Sequence, residues 1–136
     1  MAVGSAQVIV TISQASDGTF WCHTEADVYG SGLNSAGASV KEAKDDLFAC
    51  LEDAKQDYVA AGGIPEDVNF TYKYDLQSFF DYFSFLNITD IARRAGINPS
   101  LMRQYARGLK TAGEKTYSRL SACMNDITAE LQAAAF

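Results

Sequence analysis

Hydrophobic and polar positions change their spacing several times along the chain, and each change predicts a strand, a turn or a helix. Val8 to Ser13 is a β-branched run of strand length, and Thr19 to Thr24 predicts a second strand after the turn signal Ser16-Asp17-Gly18. Asp27 to Gly37 holds three glycines among small polar residues, so we interpret it as a loop that can include a short third strand. Val68 to Tyr74 alternates in polarity as a half-buried strand does.

A long helix is predicted between the hairpin and the last strand. Ser39 can cap its N-terminus, and Glu42 stands three residues later as the partner in a capping box. Gly62 and Gly63 end it, and Pro65 prevents its continuation. Its apolar stripe consists of Ala43, Leu47, Cys50, Leu51, Ala54 and Tyr58. The first 75 residues therefore predict the order β-β-(β)-α-β.

From Leu76 onward the apolar spacing is helical, and no later segment resembles a strand. Leu76, Phe79, Phe80, Phe83 and Leu86 lie on one side of a first helix. A turn and cap at Thr111 to Glu114 precede a long closing helix from Lys115 to Leu131, whose stripe is Tyr117, Leu120, Met124, Ile127 and Leu131. We therefore expect an α+β protein with two domains, an α+β domain at residues 1–75 and an all-helical domain at residues 76–136.

The segment from Thr89 to Gly108 has the pattern of a helix-turn-helix unit. Ala92 is small where two steeply crossing helices touch, and Gly96 tolerates the positive φ that a tight turn needs. Asn98 can cap the second helix, and Pro99 suits its first turn. The residues expected to point inward are Ile91, Ala95, Ile97, Met102 and Tyr105.

The remaining side chains of the second helix predict contacts with DNA. Ser100, Leu101, Arg103, Gln104 and Arg107 should face solvent or a groove, and Arg and Gln can form paired hydrogen bonds with base edges. We expect Ser100, Arg103 and Gln104 to approach bases, with Arg107 nearer the rim. The residues expected to contact phosphates are Arg93, Arg94, Lys110, Lys115 and Arg119. A purely structural helical hairpin with a solvated basic face is the alternative interpretation.

The distribution of charge supports the same division of the chain. The net charge of −6 argues, as an average, against a nucleic-acid partner, because Lys and Arg drive phosphate binding. Residues 1–80 contain four basic and twelve acidic residues, whereas residues 81–136 contain seven basic and five acidic residues. All seven cations of the second part lie between Arg93 and Arg119. We therefore expect an acidic module joined to a DNA-facing module.

Several short motifs together resemble the N-terminal domain of HicB-type antitoxins over about residues 8 to 75. They are Asp17-Gly18-Thr19-Phe20, the bend at Tyr29-Gly30 where the family usually has Pro-Gly, Ser35-Ala36-Gly37, and Ser39-Val40-Lys41-Glu42-Ala43. The C-terminal part is similar to the phage-repressor type of helix-turn-helix. The resemblance implies a partial ribonuclease-H-like β-β-β-α-β domain that covers a small RNA-cleaving toxin, and a C-terminal domain that represses the operon.

The acidic first part suits a small basic toxin, because opposite charges steer association and can block an RNA-binding face. The alternative is that the acidic surface only keeps the protein in solution. A free-standing regulator whose first domain senses a ligand or dimerises is a rival interpretation, and an interaction scaffold without DNA binding is another. We expect a homodimer or a higher homo-oligomer, because symmetric repressors bind paired half-sites on operator DNA.

Catalysis, metal binding and a cofactor are not expected. Cys22, Cys50 and Cys123 are widely spaced and accompanied only by His23, which fits neither a disulfide framework nor a zinc site. Cys22 and His23 are neighbours on a predicted strand and so point to opposite faces. The first and last predicted strands of the acidic part contain no carboxylates, although two-metal nuclease chemistry needs several that converge.

The chain is expected to be cytoplasmic and to have no membrane partner. No run approaches the roughly 18 to 20 apolar residues that cross a bilayer. Met1 to Ile12 lacks the basic start, long apolar stretch and cleavage site of a secretory signal. Phe79 to Phe85 holds more aromatic side chains than one helix face can bury, so part of it should pack on the first domain or on a second subunit.

Overall fold

The structure, a computed structural model, describes residues 5–136 and shows an α+β protein. A four-stranded mixed sheet and five helices are formed by these residues, which confirms the predicted α+β class. The chain divides into two compact units, Met1–Asp75 and Leu76–Phe136, named unit 1 and unit 2 below. The sequence predicts that Met1 to Ile12 is not a secretory signal, and residues 1–4 of this segment lie outside the described residues.

Unit 1 is a sheet with one long helix. Its elements are β1 (Ser5–Gln14), β2 (Phe20–Thr24), β3 (Asn34–Gly37), α1 (Val40–Ala60) and β4 (Asp67–Tyr74). The strand order is β3-β2-β1-β4, with β1 parallel to β4 and antiparallel to β2, and β2 antiparallel to β3. The short third strand that the sequence left open is therefore present.

The core of unit 1 lies between one face of the sheet and α1. Every second residue of a strand points to the same face, and Val8, Val10 and Ile12 of β1 are buried accordingly. On α1, Ala43, Leu47 and Leu51 are buried against this core, whereas the other three residues of the predicted stripe are only partly covered. The remaining buried hydrophobic residues of this core are Phe20, Cys22, Val28 and Leu33.

The start of α1 explains why a glycine precedes it. Ser39 Oγ accepts a hydrogen bond from the Glu42 N–H at 3.1 Å, and the Glu42 carboxylate accepts one from the Ala38 N–H at 2.8 Å. A Cβ atom at Gly37 would lie 2.5 Å from the Ala43 nitrogen. The end of β3 and the first turn of α1 thus approach so closely that only glycine fits between them.

Unit 2 is all-helical and consists of α2 (Leu76–Tyr82), α3 (Ile88–Ala95), α4 (Pro99–Ala106) and α5 (Glu114–Ala134). Its core comprises Leu76, Phe80, Ile91, Ala92, Ile97, Met102, Tyr105, Ala106 and Leu120. No helix within residues 5–136 combines the length and the apolar character that a membrane span requires.

Two expectations for unit 2 are corrected by the structure. The aromatic segment is not one continuous helix, because α2 ends at Tyr82 and a turn follows in which the Leu86 N–H donates to the Phe83 carbonyl at 3.0 Å. Leu131 does not continue the buried stripe of α5, since 63% of its surface is exposed. The helix extends beyond the residues of unit 2 that cover Leu120 and Cys123, so its last turns bury little.

Candidate nucleic-acid interface

Two short helices, α3 and α4, are joined by a three-residue turn with defined caps at each end. Asn87 caps α3 by accepting a hydrogen bond from the Asp90 N–H at 3.0 Å. Gly96 ends it in the left-handed region at φ 72°, and the next N–H, from Ile97, donates to the Ala92 carbonyl at 2.8 Å. Asn98 then begins α4, its side-chain oxygen accepting from the next two free N–H groups at 2.9 and 3.2 Å.

The facing sides of α3 and α4 are buried and hold the two helices in one geometry. Ala92 and Met102 have no exposed surface, so the small residue allows close approach and the methionine fills the space beside it. Leu101 was expected to face solvent or a groove, and this expectation is wrong. The residue is half-buried and packs against the core. It lies one helical turn before the buried Tyr105, on the same face of α4.

The outer face of α4 presents a prearranged guanidinium group. Arg103 is exposed, and its Nη1 donates to Thr89 Oγ1 at 3.1 Å while its Nη2 donates to Ser100 Oγ at 3.2 Å. Two helices thus hold one side chain. Gln104 beside it is half-buried, and Arg107 is exposed at the C-terminal end of α4.

Thr89 is a candidate site residue to which the sequence alone assigned no role. Asn87 caps α3, which leaves the Thr89 hydroxyl to contact Arg103. The sequence could have indicated this contact, because the geometry of such a turn places a hydroxyl in the first turn of the first helix beside the second helix.

The five expected phosphate contacts differ in how far their charges are already compensated. Arg94 forms an ion pair with Glu130 at 2.6 Å, and this hydrogen bond raises the pKa of the Arg94 guanidinium above its usual value. Arg119 donates to the Gly96 carbonyl at 3.0 Å. Both contacts tie α5 to the end of α3.

The other three cations have weaker contacts. Arg93 is 3.9 Å from Asp90, with both side chains largely exposed, so this pair is nearly fully hydrated. Lys110 and Lys115 are exposed, and neither forms an ion pair within residues 5–136. These three charges are therefore available to an external anion.

The structure also locates the residues that were considered for catalysis. Cys22 and Cys123 are buried and Cys50 is half-buried, all as free thiols, and burial raises the pKa of each thiol above its usual value. Raised pKa values leave less of the reactive thiolate at neutral pH. Within residues 5–136, no three His, Cys, Asp or Glu side chains are grouped so that they could hold a metal ion.

Comparisons of this chain with protein-family models, with curated proteins and with solved structures give no match. The feature that is most specific in geometry and charge is the exposed face of α4, with Arg103 held by Thr89 and Ser100.

Proposed function

We propose that the chain is a HicB-like antitoxin and transcriptional regulator, which binds operator DNA through α4 and a small basic toxin protein through unit 1. The observation that carries the DNA-binding part is the Arg103 guanidinium, held by Thr89 and Ser100 on the exposed side of a helix whose other side is buried. An arginine that only gives a helix a hydrated surface does not need a hydrogen bond to a second helix.

The dimensions and chemistry of α4 suit a major groove. An α-helix fits this groove, and an arginine recognises guanine by donating to O6 and N7 together. Because Arg103 is already restricted by two hydrogen bonds, less side-chain entropy is lost when it meets a base. Ser100 and Gln104 are its proposed neighbours at base edges, with Arg107 at the rim.

Phosphate contacts are proposed for the cations around this face. Arg93, Lys110 and Lys115 are the stronger candidates, because their charges are least compensated within the chain. Arg94 and Arg119 primarily fasten α5 to the helix pair, and their remaining N–H groups can reach a phosphate from there. A homodimer would place two such faces on successive half-sites.

The proposed toxin-binding role of unit 1 is supported by its charge and its topology. Residues 1–80 carry a net charge of −8, which suits a small basic protein whose function is to bind RNA. The element order of unit 1 is β-β-β-α-β, which is the order that the resemblance to HicB-type antitoxins implies. No catalytic role is proposed for this unit.

The test of DNA binding is fluorescence anisotropy with labelled DNA from upstream of the gene, at two salt concentrations. We expect specific binding by the wild-type chain that weakens as salt rises, because bound Lys and Arg displace counterions. Arg103→Ala/Gln104→Ala should reduce affinity for this DNA by about 10- to 100-fold, since each base-reading pair contributes about 1–3 kcal/mol.

A matched control is Lys55→Ala/Gln56→Ala on α1, which removes one cation and one amide from unit 1. This variant should bind the upstream DNA as the wild type does. Equal loss in both variants, or no binding by a folded wild-type dimer, would favour the interaction scaffold. If the chain binds DNA but no gene for a small basic toxin lies beside its own gene, the free-standing regulator is favoured.

A further inference from the structure

Unit 1 contains a cavity of about 380 Å³ that none of the roles above uses. It opens beside the start of β4, where the turn after β2 and the end of α1 come together. Its lining includes apolar, aromatic and acidic residues, among them Val8, Asp27, Tyr29, Tyr58, Ile64 and Glu66. A volume of this size is within the range of small-ligand sites in proteins.

One wall of the cavity is an aromatic pair held in an unusual backbone conformation. Tyr29 has a φ of 52° and Gly30 a φ of 83°, and paired hydrogen bonds between Val28 and Ser31 close the turn around them. Positive φ at both central residues is typical of a type I′ turn, in which tyrosine is uncommon. The Tyr29 ring stacks on Tyr58, with centroids 5.4 Å apart and an interplanar angle of 30°.

Both rings are fixed from behind. The Tyr29 hydroxyl donates to the Glu66 carbonyl at 2.7 Å. At Gly63, a Cβ atom would lie 2.6 Å from the Tyr58 ring, and the Gly63 N–H donates to the Tyr58 carbonyl at 2.8 Å. The aromatic wall is therefore preorganised, with a strained residue of the kind that clusters at binding sites.

The charged residues among the described lining of the cavity are both acidic. Asp27 and Glu66 both line it, and neither carboxylate has a hydrogen-bond or ion-pair partner within residues 5–136. No basic side chain is among the described residues that line it. Elsewhere in unit 1 an aromatic ring already receives a cation, since Lys44 Nζ lies 4.3 Å from the centroid of Tyr72.

These features together select one kind of ligand. Aromatic faces attract a cation through the ring quadrupole, carboxylates pair with it, and the apolar Val8 and Ile64 can cover an aliphatic stem. A neutral apolar ligand would leave the two carboxylates without a role, and an anion would be repelled. We infer that this cavity binds a single organic cation, an ammonium or guanidinium group on an aliphatic stem.

The cation has two possible sources, which are a free small amine and a Lys or Arg side chain of a protein partner. In the second case the inference deepens the proposed toxin binding and depends on it. In either case it is independent of operator binding, because all of the cavity lies in unit 1. Loss of DNA binding and loss of cation binding are therefore separately measurable.

The test uses ¹⁵N-labelled full-length chain and two-dimensional NMR. Butylguanidinium is the cationic probe and butylurea its neutral isostere, and a peptide arm compares acetyl-Gly-Arg-Gly-amide with its citrulline analogue. We expect saturable shifts of the amides of Tyr29, Gly30 and Glu66 with the cations, whose dissociation constants should be at least about tenfold lower than those of the neutral isosteres. Tighter binding of the peptide would identify a protein side chain, and tighter binding of butylguanidinium a free amine.

Asp27→Asn/Glu66→Gln should weaken binding of the cationic probe by about tenfold or more. The matched control is Glu52→Gln/Asp53→Asn on the exposed side of α1, which removes the same charge from unit 1 and should bind the probe as the wild type does. The inference is overturned if the cation and its neutral isostere bind equally, if both double variants lose binding alike, or if no amide near the cavity shifts.

Discussion

Arg103 is held in place by Thr89, a residue that is distant from it in sequence. They lie on different helices, 14 residues apart, and meet because the turn at Gly96 brings the start of α3 beside α4. The Thr89 hydroxyl accepts a hydrogen bond from the Arg103 guanidinium and so orients it.

Thr89→Val removes this hydroxyl and keeps the shape of the side chain. On the proposed function, affinity for operator DNA should fall about three- to tenfold, because one hydrogen bond to a charged group is lost. The free energy of unfolding should change by about 1 kcal/mol or less, because the hydrogen bond that is lost is exposed to solvent. Anisotropy titrations and thermal unfolding measure the two effects.

Thr89→Ser is the matched control, since it keeps the hydroxyl and should bind DNA as the wild type does. In an Arg103→Ala background, Thr89→Val should have no further effect on affinity. A full additional loss in that background would show that Thr89 acts on DNA by a route other than Arg103.

Gly37 is a second position where one residue decides local structure. Gly37→Ala would place a methyl group 2.5 Å from the Ala43 nitrogen, so backbone must move and unit 1 should lose about 1–3 kcal/mol of stability. Denaturant unfolding followed by Trp21 fluorescence reports on unit 1, because Trp21 is the only tryptophan and pairs with Ala36 next to this site.

The control for this prediction is Gly32→Ala, whose Cβ would meet its nearest neighbour, an Asp27 oxygen, at an ordinary 3.7 Å. Its unfolding midpoint should stay close to that of the wild type. Equal midpoints for Gly37→Ala and Gly32→Ala would show that the approach of β3 to α1 is looser than described.

At the scale of elements, the sequence predicts features that depend on neighbouring residues, such as helix caps. It does not predict which distant elements pair or pack together. The caps at Ser39 and Asn98 were predicted correctly, because a cap depends on residues within three positions of it. The β3 strand could not be assigned, since its residues have low strand propensity and form a strand only by pairing with β2. Leu101 and Leu131 were placed wrongly, because helical spacing gives the face of a residue but not the extent of what covers it.

The same distinction applies to the candidate interface. The exposure of Ser100, Arg103 and Arg107 follows from the helical period and agrees with the expected orientation of α4. The compensation of Arg94 by Glu130 could not be anticipated, because it joins positions 36 residues apart. The cluster of basic residues in the sequence therefore overestimates the number of cations whose charge is uncompensated in the structure.

The side chain of Asn98 is the N-cap of α4, and its removal should destabilise this helix. Asn98→Ala leaves the N–H groups of Ser100 and Leu101 without their acceptor, so the stability of unit 2 should fall by about 1–2 kcal/mol. Hydrogen exchange of the α4 amides, measured by NMR, should accelerate accordingly.

Asn98→Asp retains an accepting oxygen and places a negative charge at the helix N-terminus, which is favourable there. Its exchange rates in α4 should match those of the wild type or be slower. If the alanine and aspartate variants exchange alike, the cap contributes nothing measurable to this helix.

At the scale of the whole molecule, opposite charges are carried by the two parts of one chain. Residues 1–80 have a net charge of −8 and residues 81–136 a net charge of +2. On the proposed function, the acidic part repels the same DNA that the basic part binds. A basic partner on unit 1 would reduce this repulsion and so promote repression.

Neutralising acids on α1 tests that coupling. Glu52→Gln/Asp53→Asn/Asp57→Asn should raise affinity for operator DNA several-fold at low salt, and the gain should shrink above about 0.1 M salt, where charges are screened beyond about 10 Å. Anisotropy titrations across salt concentrations measure this. The charge-conserving variant Glu52→Asp/Asp53→Glu/Asp57→Glu should bind as the wild type does, and an equal gain from it would contradict the electrostatic explanation.

The parallel pairing of β1 with β4 also has a consequence for the order in which the chain acquires structure. The side chains of Ser5 and Asn69, on these two strands, are hydrogen-bonded across 64 positions of sequence, whereas α3 and α4 are neighbours in both sequence and space. Contacts between distant positions form slowly. During synthesis, β1 emerges before α1 and β4 and keeps one edge unpaired until both have followed, so the sheet of unit 1 closes only when its last strand is available.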